Sequence, residues 1–598
     1  MNTEAVNLDV QPVDQELAFQ SALHEMMLSA CQGASMAAHE TDSFFLKIRV
    51  KKARAFTDFI TPDEDDDSDS SHMLGHLKLA ILMGTHRFTS QPVIAGVEPA
   101  LDATFSLNLS SLTDGSASAV KLLESTAELR FLLLFCSQGA RSWDIVAEGS
   151  FDWREVLASA PLSVQVDLMT VQAVPLSLDI PYGILDLEFW ITPQLSASLP
   201  AHQIGERRSR IKMSEGANWR VFLGYAKGWW RDYLSLHEMH AQALVKLIAV
   251  DETGLSRPVT AFLRPLASPL HLHSPHQAAR MVSLIPFERN EQLGGGRVEI
   301  WHTPSAFLAR NKGDVEDHAI LLCSLLLGFG LNAYIVLGTD GAGAHVWVMT
   351  LDDVGVVFWE SLTAVRYAWQ SDPHPYETVS CVFNDTGLWA NVQGTRSIGE
   401  ERGGGGGGGG VEGEGERDAV SFALGNPECW KAMDPEMLGL MPRVEAVRLS
   451  PPAPMEVLLL EEQRIASELR DFVERDREEA QLSTIWDEGL AYLLTPALRA
   501  YEMERETGVA PGNREFQQSI KSYVQKGDLF KGFPVQFNHL RTSIMMETLR
   551  QTTGGCEILQ LTGHRVHLSL RVKLFSYPEN VVACWVMLAG VVKSGPTE

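Results

Sequence analysis

The sequence is poor in cysteine relative to its length. Its seven cysteines lie far apart among 598 residues, and no two form a C-x-x-C pair. This pattern is typical of a reducing compartment, where cysteine behaves as a small buried apolar residue. No zinc site follows from it, and no other metal or cofactor is predicted.

Long apolar runs and a secretory signal are also missing. The apolar run at residues 320–327 falls well short of the ~20 residues that a membrane-spanning helix needs. Residues 1–25 contain acids where a signal peptide has basic and then apolar residues. We therefore expect a cytosolic protein without a transmembrane segment.

Positive charge is scarce as well. The 49 basic residues are outnumbered by 76 acidic ones, which gives a net charge of −27. A duplex nucleic-acid binder needs a broad cationic face, so no nucleic-acid partner is expected. Two local basic stretches remain, at residues 51–54 and 207–212. A solvated face or linker is the favoured interpretation of both, and docking of phosphate or an acidic peptide is the alternative.

The chain is long enough for roughly three or four compact units. Glycines at 403–410, followed by VEGEGER, predict a flexible acidic linker. We predict a multidomain α+β protein with these divisions: a mobile lead-in at 1–43, an antiparallel β-sandwich at 44–195, a mixed α+β domain at 214–395, a flexible linker at 396–455, and a C-terminal unit of helix and β-rich sequence at 456–598. The basic stretch 207–212 is interpreted as a boundary.

Residues 44–192 contain short runs of alternating apolar and polar residues separated by turn formers, among them FFLKIRV and LDLEFWI. This pattern predicts an antiparallel sandwich, and its strand order resembles that of C2 domains. The acidic run 63–71 suggests calcium binding, but Ser68 stands where an EF-hand loop needs glycine and Leu74 where it needs an acid. A solvated loop is favoured, with a calcium-dependent membrane adaptor as the alternative.

Local signals predict several elements further along the chain. The aromatic residues of 219–233 recur at helical spacing, as on a buried helix face. The turn 251–254 predicts a hairpin, and Ser274 followed by Pro275 predicts a helix start. Residues 455–479 form an amphipathic helical pattern, after which the tail becomes rich in strand-forming residues.

One constellation points to thiol chemistry. A papain-type enzyme needs a cysteine at the start of a buried helix, a histidine on a strand as base, and an acid that orients the histidine. Transglutaminase-like families show these as G-x-C-x-D-x-A, H-x-W and an acid after tryptophan. Residues 313–319, 345–347 and 359–363 have the same order and spacing, and therefore resemble a transglutaminase-like (papain-type) domain.

In this alignment His345 is the base, Glu360 is the orienting acid, and Val315 occupies the nucleophile position. Valine has no nucleophilic capacity, and loss of one member of such a unit costs on the order of a millionfold in rate. We therefore predict a pseudoenzyme with a degenerate triad and no catalytic residue. Cys323 lies roughly two helical turns further on and is expected in the core, although a residual thiol hydrolase or transglutaminase using it is the alternative.

A degenerate cleft could still bind an extended peptide. Four residues next to the triad positions in the sequence are candidates for lining this cleft: Asp317, His318, Trp347 and Trp359.

Longer blocks narrow the resemblance to the centrosomal protein of 76 kDa family. They include FLARNKGDVEDHAILLCSLLLGFGLNAYIVLGT, STIWDEGLAYLLTPALRAYEMER and YPENVVACWVMLA. The resemblance implies a centrosomal, centriolar or basal-body location and restraint of centriole duplication together with a capping protein of the distal centriole. A tubulin tail or another peptide segment is a further possible partner. The short lead-in and Val315 depart from the pattern.

Overall fold

The structure is a computed structural model that describes residues 44–56, 75–112, 118–137, 143–170, 181–195, 198–266, 271–288, 299–370, 373–394, 396–398, 420–510, 512, 514–563 and 565–593. The predicted lead-in, the acidic run 63–71 and the glycines 403–410 lie outside these residues. The helices are α1 (Ala119–Glu124), α2 (Ala201–Leu236), α3 (Pro275–Leu284), α4 (Pro304–Arg310), α5 (Val315–Gly328), α6 (Pro435–Gly439), α7 (Met455–Glu479), α8 (Glu488–Thr507), α9 (Arg514–Tyr523), α10 (Thr542–Gln551) and α11 (Thr553–Leu559).

The N-terminal domain is the predicted antiparallel β-sandwich. Its strands are β1 (Phe45–Arg54), β2 (Gly75–Met83), β3 (His86–Thr89), β4 (Val93–Ile94), β5 (Thr104–Asn108), β6 (Leu129–Ser137), β7 (Asp144–Phe151), β8 (Leu162–Thr170) and β9 (Gly183–Thr192). Alternation decides which side chains fill the core, since Leu46, Ile48 and Val50 of β1 are fully buried and the residues between them face outward. The predicted sandwich fold is confirmed.

Helix α2 joins this domain to the next one. Ile204, near its start, packs in the sandwich core, whereas Phe222 and Tyr233 pack in the core of the central domain. The basic stretch 207–212 lies inside this continuous helix. The stretch continues the helix because arginine, lysine and glutamate are good helix formers and no proline interrupts them; its interpretation as a domain boundary stays a prediction.

The central domain is built on a seven-stranded sheet ordered β15-β14-β13-β12-β16-β17-β18. Its strands are β12 (Ala333–Asp340), β13 (Gly343–Leu351), β14 (Val356–Trp359), β15 (Arg366–Ala368), β16 (Tyr376–Phe383), β17 (Leu388–Asn391) and β18 (Trp430–Ala432), and the predicted hairpin forms separately from β10 (Ile248–Val250) and β11 (Ser256–Pro258). Ser274 caps α3 as predicted, because its hydroxyl accepts a hydrogen bond from the Gln277 amide.

The predicted linker 396–455 is not flexible throughout. Within it, β18 pairs with β17 and completes the central sheet, and Val420 and Phe422 are buried with Trp430 beside the same sheet. The glycine tract before this segment made it look like part of the linker. The segment itself contains enough apolar residues to pack against the core. The linker prediction is therefore corrected for residues 420–455.

The C-terminal domain begins with the predicted amphipathic helix, observed as α7. It packs on a four-stranded sheet ordered β19-β21-β22-β20, formed by β19 (Ile485–Trp486), β20 (Leu529–Phe537), β21 (Val566–Ser576) and β22 (Val582–Val592). Within the described residues, no helix combines the length and apolar character that crossing a membrane requires.

Buried polar contacts connect the three domains. Arg130 of the sandwich donates to Glu252 of the central domain at 3.0 Å. Arg280 of the central domain forms two 2.9 Å hydrogen bonds with Glu502 of the C-terminal domain. Because these side chains are largely removed from water, each contact fixes the orientation of one domain against the next.

Candidate functional site

The start of α5 carries the residue at the predicted nucleophile position. Val315 is the first helical residue, and Asp314 is the N-cap. The Asp314 carboxylate accepts from the Asp317 amide at 3.1 Å, and the Asp317 carboxylate accepts from the Asp314 amide at 3.3 Å. This reciprocal capping box fixes the helix start where thiol enzymes hold their cysteine.

Asp317 also connects the helix start to the preceding loop. Its carboxylate accepts from the His302 amide at 2.8 Å and from the His302 ring Nδ1 at 2.9 Å. Burial alone would raise the pKa of Asp317, but His302 and Arg310 outweigh it and lower the pKa. Asp317 is therefore a buried carboxylate that holds the loop against α5.

His345 and Glu360 meet as the alignment predicts. The Nε2 atom of His345 donates to a Glu360 carboxylate oxygen at 2.9 Å, and the Tyr376 hydroxyl donates to the same oxygen at 3.0 Å. Burial alone would lower the pKa of His345, but the hydrogen bond to Glu360 and the charges of Glu360, Asp340 and Glu316 raise it. The imidazole thus sits in a strongly acidic setting.

Strand geometry decides which face of β13 His345 occupies. Successive side chains of β13 point to opposite faces of the sheet. Val346 and Val348 belong to the apolar core that includes α5, and Val315 packs against that core. His345 lies on the other face, where its ring is stacked 6.1 Å from Trp347 and 6.0 Å from Tyr376. The structure brings His345 and Glu360 together, and the charge of Glu316, the residue after Val315, also acts on His345.

The acids next to Val315 both have raised pKa values. Burial and the charges of Asp317 and Glu316 raise the pKa of Asp314 to about 9, and burial also raises the pKa of Glu316. Asp314 and Glu316 flank the aliphatic side chain on both sides. The helix start therefore offers no nucleophile at position 315.

The four predicted cleft residues are all buried. The exposed fractions are 1% for Asp317, 0% for His318, 0% for Trp347 and 5% for Trp359. The His318 ring, for example, lies between two main-chain carbonyls, 2.6 Å from that of Asp314 and 3.0 Å from that of Ile285. A peptide at the surface would not touch these four side chains in this conformation, and their role in lining a cleft stays a prediction.

Two cavities of the described surface lie away from His345. One of about 570 Å³ is lined by Leu493 and Tyr523 among others, and one of about 220 Å³ by Lys51 and Asp102 among others. Within the described residues, no group of three or more His, Cys, Asp or Glu side chains is arranged to hold a metal ion.

Cys323 is buried in the core, as expected from its position in α5. Its side chain is fully inaccessible, and burial raises the pKa of its thiol well above the ordinary value. The charge that acts on it comes from Asp385, not from His345. A protonated thiol without an adjacent base is a poor nucleophile, which disfavours the residual-hydrolase alternative.

Sequence reasoning missed two members of the site, Asp340 and Tyr376. Asp340 starts the turn between β12 and β13, and the register pairs Gly338 with His345. The Asp340-Gly341 turn signal could have placed this acid near the histidine. Nothing in the spacing could have placed Tyr376, because it arrives from a strand on the far side of β12.

The environment of His345 gives a direct prediction. Glu360→Gln removes a negative charge that accepts its hydrogen bond, so the pKa of His345 should fall below that of the unsubstituted protein, as measured by NMR titration of the ring protons. A raised pKa means that the protonated ring stabilises the fold. This contribution to stability is fully present below the unfolded pKa of about 6.5 and is lost as pH rises through the raised pKa of His345 in the folded protein. Tyr367→Phe, a nearby aromatic change, is the control and should leave the titration unchanged.

Comparison with known proteins identifies three domain families along the chain. Residues 37–197 match the CEP76 C2 domain, residues 299–403 the CEP76 peptidase-like domain, and residues 456–593 the centrosomal protein of 76 kDa C-terminal domain. Among solved structures, EGTA-treated Legionella pneumophila LapG is 20% identical, with a TM-score of 0.17 over 19% of this chain and 64% of that one. So low a score carries no functional argument.

Curated relatives match nearly the whole chain. Centrosomal protein of 76 kDa from Xenopus tropicalis is 34% identical over 572 residues, covering 91% of this chain and 83% of the relative. The Homo sapiens protein of the same name is 33% identical with the same coverage. The predicted C2 and transglutaminase-like domains and the predicted centrosomal location are thereby confirmed. The chain belongs to the centrosomal protein of 76 kDa family.

Proposed function

We propose that the chain is a non-catalytic scaffold at the centriole that restrains centriole duplication. The observation that carries the non-catalytic part is Val315, which stands at the nucleophile position of the aligned motif at the start of α5 and has no nucleophilic group. The retained capping box and the His345–Glu360 hydrogen bond keep the shape of the peptidase-like domain without its chemistry.

The degenerate cleft is proposed to bind a segment of a partner, of which a capping protein of the distal centriole is the candidate from the family resemblance. The acids around His345, namely Glu316, Asp340 and Glu360, disfavour an acidic ligand such as a tubulin tail at this position. Calcium-dependent membrane docking by the C2 domain has no support from the described residues, because the acidic run 63–71 lies outside them.

Rescue of centriole number tests this function. After depletion of the cell's own protein, the unsubstituted chain and a His345→Gln variant are expected to restore normal centriole number equally. Glutamine can still donate to Glu360, but it cannot act as a general base. Centriole number is counted in dividing cells, with untransfected depleted cells as the reference for excess centrioles.

A His345→Gln variant that leaves centrioles in excess, at a normal protein level, would argue for a catalytic role. As a second arm, Val315→Cys should show no protease or transamidase turnover, since partial burial at this position and the nearby charge of Asp317 disfavour a thiolate there. Turnover by the unsubstituted chain that alkylation abolishes would refute the non-catalytic proposal. Failure of the unsubstituted chain to reach centrioles would refute the centriolar role.

A further inference from the structure

The solvent side of α2 carries a row of positive charge. At 3.6 residues per turn, seven exposed residues share this side, which we call the α2 outer face: Arg210, Met213, Ala217, Arg220, Gly224, Lys227 and Arg231. The buried residues of the helix, such as Phe222 and Tyr233, lie on the opposite side. The face extends for about 30 Å along the helix.

Most of these cations lack an acidic partner. Arg210 pairs with Glu206 at 3.4 Å. For Arg220, Lys227 and Arg231, no carboxylate among the described residues lies within ion-pair distance, and the only side-chain hydrogen bond of the three is from Arg231 to the Lys227 carbonyl. No acid interrupts the face between Arg210 and Arg231.

The other basic stretch of the chain shows the contrast. In β1, Lys51 pairs with Glu188 at 3.0 Å, and Lys52 pairs with Glu98 at 3.0 Å. Those charges are neutralised within the sandwich. In a chain with a net charge of −27, the α2 outer face is thus a continuous positive surface that the described part of the protein does not neutralise.

We infer that the α2 outer face docks an acidic segment of another protein. Gly224, at its centre, supports this, because a Cβ atom there would meet no atom within 4 Å and the fold of this chain therefore does not require glycine. The missing side chain leaves a low point between Arg220 and Lys227 where the backbone of a partner can come close. Unpaired cations at both ends of that low point attract carboxylates.

Other occupants fit this surface less well. A second copy would bring the same positive face against itself. A membrane surface would meet Met213 and Val221 as the only large apolar residues on this side, too few for an interfacial helix. It would also bring the acidic remainder of the protein near anionic lipid. A single acidic segment touches only the helix, and repulsion from distant acids is screened within about 8 Å at physiological salt.

Binding of a designed peptide to the full chain tests this inference. The probe is a fluorescein-labelled helical peptide of 21 residues with glutamates on one face, and its isomer has the same composition with the glutamates spread around the helix. The one-faced peptide should bind more tightly in fluorescence anisotropy. The triple variant Arg220→Glu, Lys227→Glu, Arg231→Glu should weaken its binding at least tenfold, and raising the salt concentration should do the same.

Two further variants distinguish binding to the α2 outer face from a general effect of the protein's net charge. The control is a triple variant of exposed cations in the C-terminal domain: Arg499→Glu, Lys521→Glu, Lys526→Glu. It changes the net charge by the same amount and should leave binding of the peptide unchanged. Gly224→Leu fits the free chain but fills the low point, so it should weaken binding of the peptide. Equal binding of the two isomers, an equal loss with the control triple, or binding only to phosphatidylserine vesicles would overturn the inference.

Discussion

Replacing Glu502 by alanine is expected to lower the free energy of unfolding by about 3–5 kcal/mol, the largest effect of any substitution proposed for this chain. Glu502 is 3% exposed and accepts both hydrogen bonds from Arg280. It also accepts at 2.6 Å from the Tyr577 hydroxyl and at 2.6 Å from the Trp585 indole. Alanine would leave one buried guanidinium charge and two buried donors without an acceptor.

The measurement is urea denaturation of the full chain, with a double-mutant cycle that adds Arg280→Ala. Because the second substitution removes the stranded charge, the double variant should be less destabilised than the sum of the single variants. Additive losses would show that the pair is not coupled in solution. They would also remove the reason for treating it as the junction between the central and C-terminal domains.

The same residue fixes a dependence on pH. Burial alone would raise the pKa of Glu502, but its hydrogen bonds with Arg280, Tyr577 and Trp585 lower it. A lowered pKa gives stability that is present above the unfolded value of about 4.3 and is lost as pH falls through the folded value. The difference in stability between the unsubstituted protein and Glu502→Gln should therefore narrow in acid.

Replacing Asp317 by alanine is expected to cost about 3 kcal/mol of stability, the second largest effect. The carboxylate accepts two bonds from His302 and one from the Asp314 amide, and all of these donors are buried. Without it, the start of α5 loses half of its capping box and the loop that bears His302 loses its attachment. Thermal unfolding measures the loss, and hydrogen exchange should show faster opening of the first turn of α5.

Glu316→Ala is the matched control, since it removes an acid from the same turn. The pKa of Glu316 is raised by its burial, which means that its charged form is not stabilised there. Its removal should cost less than about 1 kcal/mol. If both substitutions cost the same, the hydrogen bonds of Asp317 would not be the cause.

The sequence predicted those parts of the site whose residue types are dictated by chemistry. A capped helix start, a histidine on a strand and an acid after a tryptophan have a recognisable order, so Val315, His345 and Glu360 were found. The face on which His345 projects was not found, because it depends on the register of β13 beneath α5. Tyr376 was missed for the same reason, since it comes from a strand whose position only the folded sheet reveals.

The sequence predicted elements that have a clear apolar periodicity. It did not predict a folded segment that lies next to a stretch of low-complexity sequence. The β-sandwich and the helix α7 have clear periodicity, and both formed as expected. The arginines of 207–212 lie within α2, between the residues that pack in the first two domains, because a helix can bridge two domains with most of its sides in water. Strand β18 lies beyond a glycine tract, so local composition concealed a segment that pairs with a distant strand.

The contact between Arg87 of the first domain and Glu579 of the last affects how deletion experiments are interpreted. Glu579 also accepts from the Ser450 amide at 2.6 Å, so a single carboxylate joins three parts of the chain that are remote in sequence. Cutting away either terminal domain would strand a partner of this carboxylate. Truncated forms would then report damage to the remaining fold as well as loss of the deleted part, and point substitutions on intact protein are the sounder way to assign a role to each domain.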